Sequence, residues 1–221
     1  MDLMDAMNRR HSVRQYQDKL LSPEALSTLR AEVEDCNRDS GLHIQLVTGE
    51  PKAFDGLMAH YGKFQGVTHY FALIGPKGAG QEEACGYYGE RLVLRAQQLR
   101  LNTCWVAMTY RKVKSAFTIG PGEKLHAVIA LGYGATQGVP HRSKTPEEIS
   151  KAPGSPPDWF RAGVEAALLA PTALNQQKVT FTLQGDRVAA RAGAGFYTKM
   201  DLGIAKYHFE LGSGQGPSVW V

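Results

Sequence analysis

From Gln137 to Pro157 the chain is polar and rich in Pro, Gly, Ser and charge. Such a composition interrupts helices and strands rather than extending them. Whatever this sequence folds into must therefore be built from segments on either side of that stretch. At 221 residues the chain is long enough to bury a sizeable core. It also falls between the lengths expected of one and of two domains, about 100–200 residues each. We read one domain, 1–221, with internal halves 1–136 and 158–221 joined by a linker at 137–157.

The first half opens with Leu3, Met4 and Met7 at the spacing of a short amphipathic helix. Ser22-Pro23-Glu24 is a helix start: Ser caps, Pro takes the first helical position, and Glu meets the positive end of the dipole. Leu26, Leu29 and Val33 continue that helix. Leu42, Ile44 and Leu46 alternate with His43 and Gln45, the pattern of a half-buried strand. Tyr70–Ile74 and His126–Tyr133 are short apolar runs that fit buried strands, and Glu82–Leu101 places Tyr88, Leu92, Ala96 and Leu99 on one helical stripe. Thr103–Met108 follows as a strand or extended loop, and residues 50–66 carry no clear period.

The second half has a helix from Trp159 to Leu169, a loop with Pro171 and Asn175, and strands at Val179–Leu183 and Val188–Arg191. A helix begins near Asp201, and the chain ends in an apolar Ser-Val-Trp-Val. The order helix, strand, helix, Trp-Val thus occurs on both sides of the linker. That echo points to two α+β halves, either duplicated or alike by arrangement.

Lys and Arg total 25 against 21 Asp and Glu, a net charge of +4. The basic residues are scattered, whereas nucleic-acid binders gather them on one face. No apolar run approaches the about 18–20 residues of a membrane helix. Cys36, Cys85 and Cys104 form no Cys-x-x-Cys pair and are odd in number, which argues against a disulfide framework or a zinc site. The N-terminus has no secretory pattern. We expect a cytoplasmic protein with neither membrane nor nucleic acid as partner.

Three polar segments are candidates for chemistry. If Arg10-His11-Ser12-Val13-Arg14 is extended, Arg10, Ser12 and Arg14 share one face. That face could hold a phosphate and the polar edge of a flat heterocycle, or it could be a solvated basic loop. Arg142-Ser143-Lys144 repeats the two-apart cationic spacing, or is charged linker surface. Ala170-Pro171-Thr172-Ala173-Leu174-Asn175-Gln176-Gln177 ends a helix with amides suited to the donor/acceptor edge of a flavin or a base, or satisfies only local backbone. The glycine clusters at 75–80, 193–195 and 212–216 lack the companions of a phosphate loop or dinucleotide fingerprint and read as turns. No Gly-x-Ser-x-Gly elbow or His-Glu-x-x-His helix occurs, and the seven His are dispersed. Tyr87 and Tyr88 read as core or interface aromatics. No catalytic side chain and no metal ligand is assigned.

Taken together, these segments resemble the FMN-dependent nitroreductase family. Arg10-His11-Ser12-Val13-Arg14-Gln15-Tyr16 is similar to its Arg-Arg/His-Ser-Val-Arg-x-Phe/Tyr signature. Residues 170–177 are similar to its Ala-Pro-Ser-x-x-Asn-x-Gln-Pro-Trp segment. Gly86 through Leu99, with Asn102, Thr103, Cys104 and Trp105, resembles its long helix and following strand. Ala130-Leu131-Gly132-Tyr133 and the later Arg142-Ser143-Lys144 resemble its ending of Gly-Tyr and two cations. The likeness spans nearly the whole chain. The order differs from ordinary members, where the Ala-Pro-Ser segment soon follows the Arg-Ser-Arg signature; here it comes after the linker, as in a small subgroup of the family. Lys178 and Val179 stand where Pro and Trp are usual, so the substrate does not transfer by analogy.

The resemblance implies an α+β nitroreductase-like fold, a mixed and largely antiparallel sheet with flanking helices. It implies FMN, with NADH or NADPH as donor and a small acceptor such as a nitroaromatic, quinone or activated alkene. Ordinary members are homodimers with FMN at the subunit interface. This chain is accordingly expected as a homodimer or as a monomeric pseudo-dimer, with Pro171 and Asn175 supplying what a partner otherwise would. Carried over by position, Arg10, Arg142 and Lys144 meet the phosphate, with Ser12 adding a hydrogen bond and His11 completing the segment. Arg14 meets the pyrimidine edge, and the backbone of Val106, Ala107 and Met108 meets N5/O4. Pro171, Thr172, Ala173 and Asn175 meet the isoalloxazine. A flavin-binding carrier or sensor is the alternative, and a basic nucleic-acid module the last.

Overall fold

The computed structural model describes residues 1–221. The chain forms two compact units. One comprises Arg9–Gln81 and Arg91–Pro140; the other comprises Met1–Asn8, Glu82–Glu90 and His141–Val221. We refer to them by their sheets as the four-stranded and the three-stranded unit.

The four-stranded unit contains α2 (Pro23–Ser40), preceded in the chain by α1 (Leu3–Arg9), then β1 (Gln45–Val47), α3 (Leu57–Tyr61), β2 (His69–Pro76), β3 (Asn102–Val106) and β4 (Glu123–Gly132). It also holds the C-terminal half of α4 (Gln81–Gln98). The sheet runs β1-β2-β4-β3 and every pair is antiparallel. β2 and β4 pair from His69 with Leu131 to Pro76 with Glu123, with a register shift between Leu73 and Ile74.

Helix α2 begins as its sequence dictates: Ser22 Oγ accepts the Ala25 N–H at 3.1 Å, and Pro23 occupies the first turn. Its buried stripe is Ala25, Leu29, Val33 and Cys36. Near its end the Asn37 amide clasps both the N–H (2.7 Å) and the C=O (2.9 Å) of Ile44. Beyond that clasp the inward stripe changes parity: Leu42 and Ile44 are buried, but Leu46 is half-buried and Val47 takes the inward place. The strict alternation expected over 42–46 therefore ends at Ile44.

β2 is buried at seven of its eight residues, because Tyr70, Ala72 and Ile74 face one core while Phe71 and Leu73, on the other face, are also covered. A strand closed on both faces has no use for polar alternation.

The three-stranded unit contains α5 (Pro146–Ile149), β5 (Ser150–Lys151), α6 (Asp158–Ala167), β6 (Val179–Gln184), β7 (Arg187–Ala192) and α7 (Thr198–Ser213). β5 pairs with β6 in parallel and β6 with β7 antiparallel. Val179, Phe181 and Leu183 point inward and alternate with half-exposed Thr180 and Thr182. Phe181 stacks on Phe209 of α7 at 4.9 Å between centroids, and Phe160 and Trp220 close the cluster at 5.8 and 5.2 Å from Phe209. Residues 82–90 of α4 cross α7 backbone to backbone: a Cβ on Gly203 would stand 1.9 Å from the Glu83 carbonyl oxygen, and one on Gly86 would stand 2.0 Å from that of Met200. At the same crossing Tyr87 donates to Glu210 at 2.5 Å and Lys206 to Glu83 at 2.8 Å. Deeper in this unit the fully buried His208 and Glu90 meet at 2.9 Å.

The fold class is thus the expected α+β, with antiparallel pairing dominant and helices packed on the sheets. Two sequence expectations change in detail. The polar stretch 137–157 carries α5 and β5, and α5 is held by a Thr145/Glu148 capping box. The last helix starts at Thr198, so Asp201 lies within its first turn. No helix is long and apolar enough to cross a membrane.

Candidate functional site

In the four-stranded unit, residues 10–17 are extended and fixed by main-chain bonds. Ser12 bridges Thr103 of β3 in parallel, and the Val13 N–H donates to the Thr103 carbonyl at 3.0 Å. Tyr16 N–H donates to Gln65 O at 2.9 Å, Gln65 N–H returns a bond to Arg14 O at 2.9 Å, and Gln17 N–H reaches Tyr133 O at 2.8 Å. Val13 and Tyr16 are buried, and the Tyr16 hydroxyl donates to Val13 O at 2.7 Å. The backbone thus fixes which side chains face which way.

Ser12 hydrogen-bonds with Cys104, whose thiol also feels the charges of Arg14 and Arg10. Burial pushes the Cys104 thiol up, while Arg14, a hydrogen bond with Ser12, and Arg10 pull it down without overcoming burial. Arg10 is buried and Arg14 is exposed, its guanidinium 6.0 Å from the Phe64 ring centroid. His11 lies against Gly138, where an added Cβ would come within 2.7 Å of the His11 Cβ. Val106 ends β3 buried, Ala107 is half-buried and Met108 is exposed. Two guanidinium groups and a hydroxyl spaced two residues apart on a segment fixed by main-chain bonds are a donor set that fits a phosphate and an anionic heterocycle edge.

In the three-stranded unit, Arg142, Lys144 and residues 171–177 come together. Asn175 Nδ2 and Gln177 Nε2 both donate to the Arg142 carbonyl at 2.9 Å. Gln177 Oε1 accepts the Lys144 N–H at 2.8 Å, and Lys144 Nζ donates to Gln177 O at 2.9 Å. Thr172 Oγ1 accepts the Gln177 N–H at 3.0 Å, and the half-buried Pro171 precedes it. Asp201 Oδ1 accepts the Ala173 N–H at 2.9 Å and Asp201 Oδ2 accepts Gln176 Nε2 at 2.8 Å.

Asp201 lies outside the candidate segments read from the sequence, and Gln176 and Gln177 carry no individual assignment there. Asp201 is 25 residues from Gln176 along the chain, and only tertiary structure brings them together. Gln177 is one of three amides in the segment, and nothing local prefers it over Asn175. The phosphate and pyrimidine candidates Arg10, Ser12 and Arg14 belong to one unit; Arg142, Lys144 and the Asn175 turn belong to the other.

A family described as “Putative TM nitroreductase” matches residues 2–213. Among solved structures, the chain is similar to a Thermotoga maritima protein assigned as a nitroreductase, at 20% identity over 96% of this chain and 83% of that one, with a TM-score of 0.65. A Desulfovibrio desulfuricans protein assigned as a nitroreductase and solved in complex with FMN matches at 21% identity, over 67% of this chain and 95% of that one, with a TM-score of 0.52. A Bacteroides thetaiotaomicron protein assigned as an NADH dehydrogenase/NAD(P)H nitroreductase matches at 20% identity, over 66% and 95%, with a TM-score of 0.52. No curated protein matches the chain.

Proposed function

This chain belongs to the nitroreductase family, and on that footing we propose that it is an FMN-dependent oxidoreductase. Its donor is NADH or NADPH, and its acceptor is a small molecule such as a nitroaromatic, quinone or activated alkene. The observation that carries the reading is the 10–17 segment, fixed by main-chain bonds to Thr103, Gln65 and Tyr133, which carries Arg10, Ser12 and Arg14 two residues apart. The FMN complex of the Desulfovibrio protein and the NAD(P)H assignment of the Bacteroides protein support it.

FMN, when bound, supplies the hydride acceptance and onward electron transfer. The protein's task is binding and tuning. Arg10 and Ser12 hold the phosphate, whose charge of about −2 favours forked guanidinium contacts. Arg14 stands at the pyrimidine edge, where a cation stabilises negative charge at N1/O2. The backbone of Val106, Ala107 and Met108 serves the N5/O4 edge, and His11 completes the segment. Arg142, Lys144, Pro171, Thr172, Ala173 and Asn175 are assigned on the family resemblance alone: the two cations to the phosphate, the turn to the isoalloxazine. We assign one FMN to each chain, held by that chain without a second copy.

Purified protein should be yellow and should release FMN on denaturation. The double variant Arg10→Ala, Arg14→Ala should bind FMN about 100-fold more weakly or worse, since charge-assisted hydrogen bonds are lost at two sites, while its circular dichroism stays unchanged. Unaltered FMN affinity in that variant overturns the residue assignment. Bound FMN that neither NADH nor NADPH reduces would identify a carrier or sensor instead of an enzyme. Sedimentation equilibrium with flavin stoichiometry tests the last assignment, and an obligate dimer sharing two interfacial FMN molecules overturns it.

A further inference from the structure

Leu174, Asn175 and Gln177 have φ angles of 52°, 53° and 46°. Residues with a Cβ resist this left-handed region, and such a run persists only where its surroundings over-determine it. Two sets of ties do so here. On one side are neutral amides: Asn175 and Gln177 bind the Arg142 carbonyl, and Gln177 binds Lys144. On the other is one carboxylate, Asp201, 3% exposed, which receives Ala173 N–H and Gln176 Nε2. Gln176 Nε2 also donates to the Phe196 carbonyl at 2.9 Å.

Protonation of that carboxylate has a defined effect. An ionised carboxylate accepts at both oxygens, whereas a carboxylic acid donates from one. A proton on Oδ2 faces the Gln176 amide donor, and a proton on Oδ1 faces the Ala173 N–H. Either way the tie at the protonated oxygen weakens, because the O–H displaces the donor or leaves it a neutral, poorer acceptor. Turning the Gln176 amide over does not rescue it, because its oxygen would then face the Phe196 carbonyl.

We propose that Asp201 is the positioning residue of the 172–177 turn, its anionic form holding Ala173 and Gln176 and its protonation releasing the turn. The proposal deepens, and rests on, the reading that this turn belongs to the flavin site. The other charged groups bordering it are Lys144 on the Gln177 carbonyl, Lys178 on the Ala194 carbonyl, exposed Arg142, and exposed Lys199 beside Asp201 on α7. From α4 come Glu83, bound to Lys206, and Tyr87, bound to Glu210. Burial raises the Asp201 carboxyl from 3.8 to about 6, with the Ala173 N–H and the Gln176 amide opposing.

The sign follows from linkage. As pH falls from about 6 towards 3.8, the folded chain holds a proton on Asp201 that the unfolded chain lacks. This group's contribution to global stability therefore grows on acidification, while the turn loses its anchor. A general acid-induced loosening would move both the same way.

Hydrogen exchange of the 172–177 segment in the flavin-free chain, corrected for intrinsic rates, tests the lock. Wild type should exchange about tenfold faster at pH 5 than at pH 7.5, the size of one charged hydrogen bond. Asp201→Asn, neutral at every pH, should exchange at the wild-type pH 5 rate at both. Gln176→Ala, at a half-buried position that tolerates truncation, should likewise lose the pH dependence. FMN affinity should follow the same pattern, about tenfold weaker at pH 5 in wild type and pH-independent in Asp201→Asn. Wild-type protection in Asp201→Asn at pH 7.5 overturns the proposal. A turn that switches in a chain unable to bind FMN upholds the lock and sinks the flavin-site reading. FMN bound equally by both chains at both pH values, over a turn that does not switch, sinks the lock and leaves the flavin reading standing.

Discussion

β2 and β6 solve the same problem in opposite ways. β2 is buried along almost its whole length, whereas β6 buries every second residue and leaves Thr180 and Thr182 half-exposed. The contrast extends to the candidate segments of each unit. Residues 10–17 are fixed to their neighbours by main-chain bonds to Thr103, Gln65 and Tyr133. The 172–177 turn is fixed largely by side chains, those of Asp201, Gln176, Gln177, Asn175 and Thr172. Main-chain anchoring tolerates substitution and does not titrate. Side-chain anchoring can be broken by one replacement or one proton. The 10–17 segment is thus held by groups that do not titrate, and the 172–177 turn by groups of which one does.

Paired alanine substitutions on adjacent residues give the largest test of this contrast. In β2, Leu73→Ala and Ile74→Ala sit on opposite faces, and each should destabilise by about 2–5 kcal/mol. In β6, Phe181→Ala should cost about 3–5 kcal/mol, while Thr182→Ala next to it should stay within about 0.5 kcal/mol. Urea unfolding of the full chain measures all four. Equal effects at Phe181 and Thr182 would mean that the outer face of β6 is covered as β2 is.

That difference was legible before any coordinates. A continuous Tyr70–Ile74 run and an alternating Val179–Leu183 run are different periods, and burial followed the period in both. The Ser22-Pro23 start was legible for the same reason, since caps are local. What stayed hidden depends on distant partners. β5 is two residues long and is a strand because Ser150 and Lys151 pair with Phe181 and Thr182. Asp201 became part of a site through contacts 25 and 28 residues away, which no local pattern records.

The α4–α7 crossing offers an intermediate effect. Gly203→Ala drives a Cβ against a main-chain carbonyl, which cannot rotate away as a side chain can. The helices must separate, at about 1–3 kcal/mol for an overpacked contact. The Tyr87–Glu210 bond crosses at the same place. Burial, reinforced by that carboxylate, raises the Tyr87 phenol well above its usual range. A phenol brought back towards its ordinary titration by Gly203→Ala, followed by ultraviolet absorbance, would report the separation directly. A variant as stable as wild type with an unchanged phenol titration would mean the crossing has slack that its backbone contacts do not suggest.

The smallest effect separates local from tertiary support for a helix. α2 is capped by the Ser22 hydroxyl, whereas α7 starts after Tyr197 with no side-chain cap and with that residue at a φ of 60°. α7 can forgo a cap because Met200, Leu202, Ile204, Ala205 and Phe209 of its length are buried. α2 buries one stripe and depends more on its end. Ser22→Ala should therefore cost about 1 kcal/mol, the usual worth of such a cap, and the loss should appear as faster hydrogen exchange in the first turn of α2 with the 10–17 segment unchanged. If exchange also quickens across residues 10–17, the main-chain anchoring of that segment is less independent of its neighbours than its bonds to Thr103, Gln65 and Tyr133 imply.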